Sequence, residues 1–141
     1  MIKDLIYKDL TFKIRRCLMN VYNKLGPGFR EETYKKALIK EFKLNDIPFK
    51  HEHPIPIRYA NEIIDEYRVD IIVFDKIILE LKSVSEMHPM FEAQVLSYLK
   101  ATGLKLGILV NFGTDKLFIK RLVNPHWDNE TKNGLNRDFT G

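Results

Sequence analysis

At 141 residues, 45% apolar and 30% charged, the chain suits one soluble domain with its own core. A net charge of +4 fits a polyanionic partner weakly, and the single Cys17 excludes an internal disulfide and a thiolate metal cluster. The opening MIKDLIYKDL carries charges throughout, so neither signal peptide nor membrane anchor is expected and a cytoplasmic protein is the default.

From about Asp9 to Leu25, Ile14, Leu18, Val21/Tyr22 and Leu25 recur at helical spacing, and Gly26-Pro27-Gly28 stops the helix. Cys17 falls inside it as a packed, inert thiol, and Lys13, Arg15 and Arg16 read as a solvated basic face. A second helix is expected from about Arg30 to Leu44, with Tyr34, Leu38 and Phe42 as its inward stripe. Glu31 shares that buried face and is favoured in the first turn by the helix dipole, while Glu32 should point to water.

Between Pro48 and Tyr59, residues Phe49, His51, His53, Ile55, Ile57 and Tyr59 fall on one side of an extended segment. Pro54 and Pro56 limit it to an edge strand. His51 and His53 share its face, but without a third ligand nearby a zinc site is not expected. A turn at Ala60-Asn61-Glu62 leads into a strand ending near Phe74, and Asp75-Lys76 turns the chain into a strand from Ile77 to Val84. A loop carrying His88 precedes a helix opened by Pro89 and stopped by Gly103. Strands from Leu106 to Phe112 and Lys116 to Val123 follow, joined by Gly113-Thr114-Asp115. Residues 1–123 thus form one α/β domain, a mixed sheet flanked by helices in the order α-α-β-β-β-α-β-β. Residues 124–141 are polar and patternless, and are expected to be a flexible tail.

The chemistry lies in the two apolar strands RVDIIVF and KIILELKSV. Such runs read as central strands covered on both faces, where a charge is costly unless it is paired or holds a metal. Glu80 and Lys82 are two apart and share one face. A two-residue turn at Asp75-Lys76 would pair position 70 with 81 and send Asp70 to the wrong side; a three- or five-residue loop centred on Asp75, or a bulge, pairs it with Glu80. The odd register is expected. Asp70 and Glu80 then offer oxygen ligands suited to Mg²⁺ or Mn²⁺, with Glu31 adding a third carboxylate directly or through water. Such an ion polarises a scissile phosphate and activates water, and Lys82 orients that water or stabilises the transition state. Gln94 and Tyr98, four apart on one helix face, are placed to touch a phosphate or position the lysine.

Asp70, nine further residues, then Glu80-Leu81-Lys82 resembles the core of the PD-(D/E)xK nucleases, with Val69 where a proline commonly precedes the acid. Gln94-Val-Leu-Ser-Tyr98 resembles the Gln-x-x-x-Tyr motif of the RecB-like branch. Gly28-Phe-Arg-Glu31-Glu-Thr-Tyr34 is similar to the signature of the GxxExxY family of small prokaryotic proteins in that superfamily. The resemblance spans about residues 5–123. It implies a restriction-endonuclease-like fold with Glu31, Asp70, Glu80 and Lys82 as the active-site set. It further implies metal at Asp70, Glu80, Leu81 and Glu31, with Gln94 and Tyr98 positioning substrate. The implied activity is metal-dependent phosphodiester cleavage, on DNA rather than RNA, with homodimerisation or two successive cuts needed to break both strands. The alternative is a non-catalytic nucleic-acid- or partner-binding module that retains the fold.

Overall fold

The computed structural model describes residues 6–127. Two helices come first, α1 (Lys8–Leu25) and α2 (Glu31–Leu44), then β1 (Phe49–Tyr59), β2 (Glu62–Val73), β3 (Ile77–Lys82), α3 (Pro89–Thr102), β4 (Leu106–Asn111) and β5 (Phe118–Val123). The five strands form one sheet in sequential order. Only β3 and β4 run parallel, because α3 carries the chain back between them. The other three pairings are antiparallel, which makes the sheet mixed.

The sheet sits between two helical layers. Ile14, Leu18 and Val21 of α1 and Tyr34, Leu38 and Phe42 of α2 pack with Ile71, Val73, Ile77, Leu79 and Leu81. Val95, Tyr98 and Leu99 of α3 pack with Val69, Ile72, Ile78 and Leu109. The stripes expected from 3.6-residue spacing face the core, buried except for the half-buried Tyr22 and Leu25 at the end of α1, and β3 is covered on both faces. Cys17 is 2% exposed, and burial pushes its thiol up to about 11. Lys13, Arg15 and Arg16 are exposed. Among the described residues no helix is long and apolar enough to cross a membrane.

The β2–β3 hairpin has the odd register. Val73 pairs with Ile77, Ile72 with Ile78 and Ile71 with Leu79, around a three-residue loop in which Phe74 and Asp75 adopt left-handed backbone. Continued one step, that register would set Asp70 opposite Glu80, but the paired residues end at Ile71 and Leu79.

The expected single face of β1 is not kept. Phe49 packs in the α1/α2 layer, whereas Ile55 and Ile57 pack in the α3 layer. The same exchange occurs in β2, where Val69 joins the α3 layer but Ile71 and Val73 join the other. Strict alternation would hold 69, 71 and 73 together. The break falls where Glu52, at φ 49°, faces the stretch around Asp70, between the pairs His51↔Ile71 and His53↔Val69. A kink here frees Asp70 from the regular ladder.

Two strand ends also differ from expectation. β3 stops at Lys82 because the buried Asn111 amide takes over: its Oδ1 accepts from Val84 N–H and its Nδ2 donates to Val84 O, both at 3.0 Å. β5 begins at Phe118 because Thr114 Oγ1 donates to Lys116 O and holds a turn there. Of the region expected to be a free tail, Asn124 is buried and its Nδ2 donates to Leu99 O and Leu104 O. Lys105 lies 3.9 Å from the Trp127 ring centroid, so the chain stays attached through Trp127. The rest of that region, residues 128–141, lies outside the described residues.

Candidate active site

Asp70 stands where β2 and β3 part. In place of a ladder bond, Leu81 N–H donates to Asp70 Oδ2 at 3.0 Å, which fixes the carboxylate beside the Glu80-Leu81-Lys82 strand. Burial raises the Asp70 pKa, with the Leu81 N–H, Lys35 and Lys82 pulling it back. Glu80 is 6% exposed, and its Oε1 is buried with no hydrogen-bond partner among the described residues. Burial first, then Asp70, pushes its carboxyl up to about 8. Lys82 offers only partial compensation, its Nζ lying 4.0 Å from Glu80 Oε2 and 4.4 Å from the Phe91 ring centroid.

Glu31 opens α2, half-buried as its place on the stripe requires. Its pKa is raised by burial and then by Asp70, while Lys82 and Lys35 lower it. The loop that delivers it is built by three residues. Gly28 takes φ 113°, a conformation closed to other side chains. The Tyr34 hydroxyl donates to Gly26 O and accepts from Phe29 N–H at 3.2 Å. Ser83 Oγ donates to Phe29 O at 2.7 Å, tying the loop to the residue after Lys82. Gly28, Glu31 and Tyr34 thus have separate tasks: a backbone bend, an acid and a clamp.

On the opposite layer, Tyr98 is buried and hydrogen-bonded to Gln94, and burial followed by the charges of Glu80 and Asp70 pushes its phenol up to about 12. Gln94 also lines, with Lys82, Met90, Phe91 and Ser97, a cleft of about 360 Å³. A larger hollow of about 420 Å³ between α1 and β4–β5 shares no residue with this set. His88 caps α3, its Nδ1 accepting from Met90 N–H at 3.0 Å.

The structure therefore gathers Asp70, Glu80, Lys82, Glu31 and the Gln94–Tyr98 pair around the fork of β2 and β3. It also brings in Lys35, which the sequence reading did not single out. Lys35 is 7% exposed, with Nζ 3.3 Å from Glu32 and 3.9 Å from Glu52. Its place one helical turn after Glu31 was the available signal. Glu32, expected in water, is exposed but spans back to this lysine. Among the described residues no three His, Cys, Asp or Glu side chains come together closely enough to hold an ion.

A model of the PD-(D/E)XK nuclease superfamily matches residues 8–122. The chain belongs to that superfamily. The mixed sheet flanked by helices agrees with that superfamily, and solved structures share the fold. One, titled "Crystal structure of SSO0001", matches at TM-score 0.52 and 15% identity, covering 96% of this chain and 86% of that one. Another is an alkaline exonuclease, LHK-Exo, from Laribacter hongkongensis, at TM-score 0.50 and 11% identity, covering 98% and 79%. No curated protein matches the sequence.

Proposed function

We propose that this superfamily member is a Mg²⁺- or Mn²⁺-dependent nuclease that hydrolyses phosphodiester bonds, with DNA as its substrate. The observation that carries the reading is Glu80 Oε1, a buried carboxylate oxygen with no hydrogen-bond partner among the described residues, beside a second acid and a lysine. Native interiors satisfy such atoms, and a divalent ion is the partner suited to this one. A site for Mg²⁺ needs one or two carboxylates, because water and substrate phosphates complete the shell. Asp70 and Glu80 fit that demand, the Leu81 carbonyl is the further candidate ligand, and Glu31 takes the water-mediated role.

When bound, the ion supplies Lewis-acid stabilisation of charge at the phosphate. The chain's own residues do the rest. Leu81 N–H holds Asp70 in place. Lys82, kept close to Glu80 and braced on Phe91, presents a fixed cation to the water or to charge developing on the phosphate. Gln94 faces the cleft beside Lys82 and offers its amide to a neighbouring phosphate, with Tyr98 holding it. We assign the chain to the GxxExxY group of the RecB-like branch. The divided tasks of Gly28, Glu31 and Tyr34 and the Gln94–Tyr98 pair support that assignment. Products carry 5′-phosphate and 3′-hydroxyl ends, and cutting both strands takes a homodimer or two encounters. A cytoplasmic setting agrees with the free Cys17 thiol.

The test is cleavage of labelled single- and double-stranded DNA and RNA, and of circular plasmid, with Mg²⁺, Mn²⁺ or EDTA. DNA cutting that requires metal is expected. Preferential cutting of RNA would overturn the substrate. Absence of both cutting and metal binding would favour the non-catalytic binding module.

A further inference from the structure

Lysine is almost never fully buried unless it is paired, and Lys35 is buried inside the catalytic fork. It rises from α2, one turn beyond Glu31, and its Nζ reaches Glu32 at 3.3 Å and Glu52 at 3.9 Å. Those two acids stand at the exposed rim, with side chains 48% and 57% exposed. Glu52 is there because its strand kinks at φ 49° opposite the Asp70 stretch. Lys82 approaches from the α3 layer, resting against Phe91, so the two lysines come to the fork from different layers. Burial pulls the Lys35 pKa down, but Glu32, Asp70 and Glu52 outweigh it, so the ammonium is held charged.

Five carboxylates, those of Glu31, Glu32, Glu52, Asp70 and Glu80, surround these two ammonium groups. The rim oxygens open to a second divalent ion beside the Asp70–Glu80 pair are those of Glu32 on α2 and Glu52 on β1, and Lys35 already engages both. We propose that Lys35 is a built-in cation occupying the α2 side of the fork in place of a second divalent ion, so that the site takes a single ion. Lys35 is on this account a positioning residue: it holds the rim acids inward and leaves the Asp70–Glu80 side for the metal. The inference rests on the metal-dependent reading above.

The experiment counts Mn²⁺ ions by electron paramagnetic resonance and by calorimetric titration, without substrate, for wild type, Lys35→Met and Lys35→Arg. Wild type and Lys35→Arg should each take one ion. Lys35→Met should take a second, bound at least tenfold more tightly than any further ion in wild type, because the acids of the α2 side are released. Lys35→Gln, which can still hydrogen-bond Glu32, serves if the methionine variant does not fold. Two ions in wild type, or one ion still in a folded uncharged variant, would overturn the proposal while leaving the metal-dependent reading intact. No ion in wild type would overturn both.

Discussion

Glu80 should make the metal-free protein lose stability as the solution becomes more alkaline. Its carboxyl is pushed from 4.5 to about 8, chiefly by burial and next by Asp70. A group whose folded-state pKa lies above its unfolded value binds its proton more tightly when folded. Its contribution is therefore complete below 4.5 and lost as pH rises through about 8. The ceiling on that loss is about 5 kcal/mol. Asp70 and Glu31, also raised, act in the same direction. Glu80→Gln keeps the shape and removes the charge. An amide at the position of the unpartnered Oε1 gives back about 1–3 kcal/mol in unmet hydrogen bonding. The variant should thus be more stable than wild type by about 2–4 kcal/mol at pH 9 and no more stable at pH 4.5. Urea unfolding in EDTA across that range measures the difference. Parallel curves at all pH values would refute the claim that Glu80 is a buried, uncompensated charge.

Tyr34→Phe removes the hydroxyl that ties Gly26 O and Phe29 N–H, and should cost about 1–2 kcal/mol in urea unfolding. It should also slow cleavage by loosening the approach of Glu31; unchanged stability would mean that the clamp contributes nothing. Gly113→Ala drives a Cβ into the backbone of Val84 and should cost about 1–3 kcal/mol, with the exit of β3 displaced. Amide exchange at Val84, bonded to Asn111 Oδ1, would report that displacement, and full protection there would contradict it.

The first two helices were legible because punctuation and period agreed, Gly26-Pro27-Gly28 separating two stripes that pack into the core, while α3 was legible from its Pro89 and Gly103 ends alone. The β2–β3 register was legible for a chemical reason, since only an odd loop lets Asp70 meet Glu80. Lys35 was hidden because the run EETYKK reads as a solvated helix surface. One of its two partners is Glu52 from a distant strand, positioned by a kink that alternation does not encode. The same kink moved Ile55 and Ile57 into the α3 layer. Asn111 and Asn124 look like polar ends of strands, yet both are buried plugs that satisfy backbone groups of other segments. Such roles depend on which backbone groups the fold leaves unpaired, a property of the assembled chain.

The most direct test of the central claim separates the acid from the lysine. Mn²⁺ binding and metal-dependent DNA cleavage would be measured on folded Glu80→Ala and Lys82→Ala proteins beside wild type. Glu80→Ala should lose both binding and cleavage, while Lys82→Ala should still bind the ion but no longer cut. Cleavage surviving in either variant would contradict the claim.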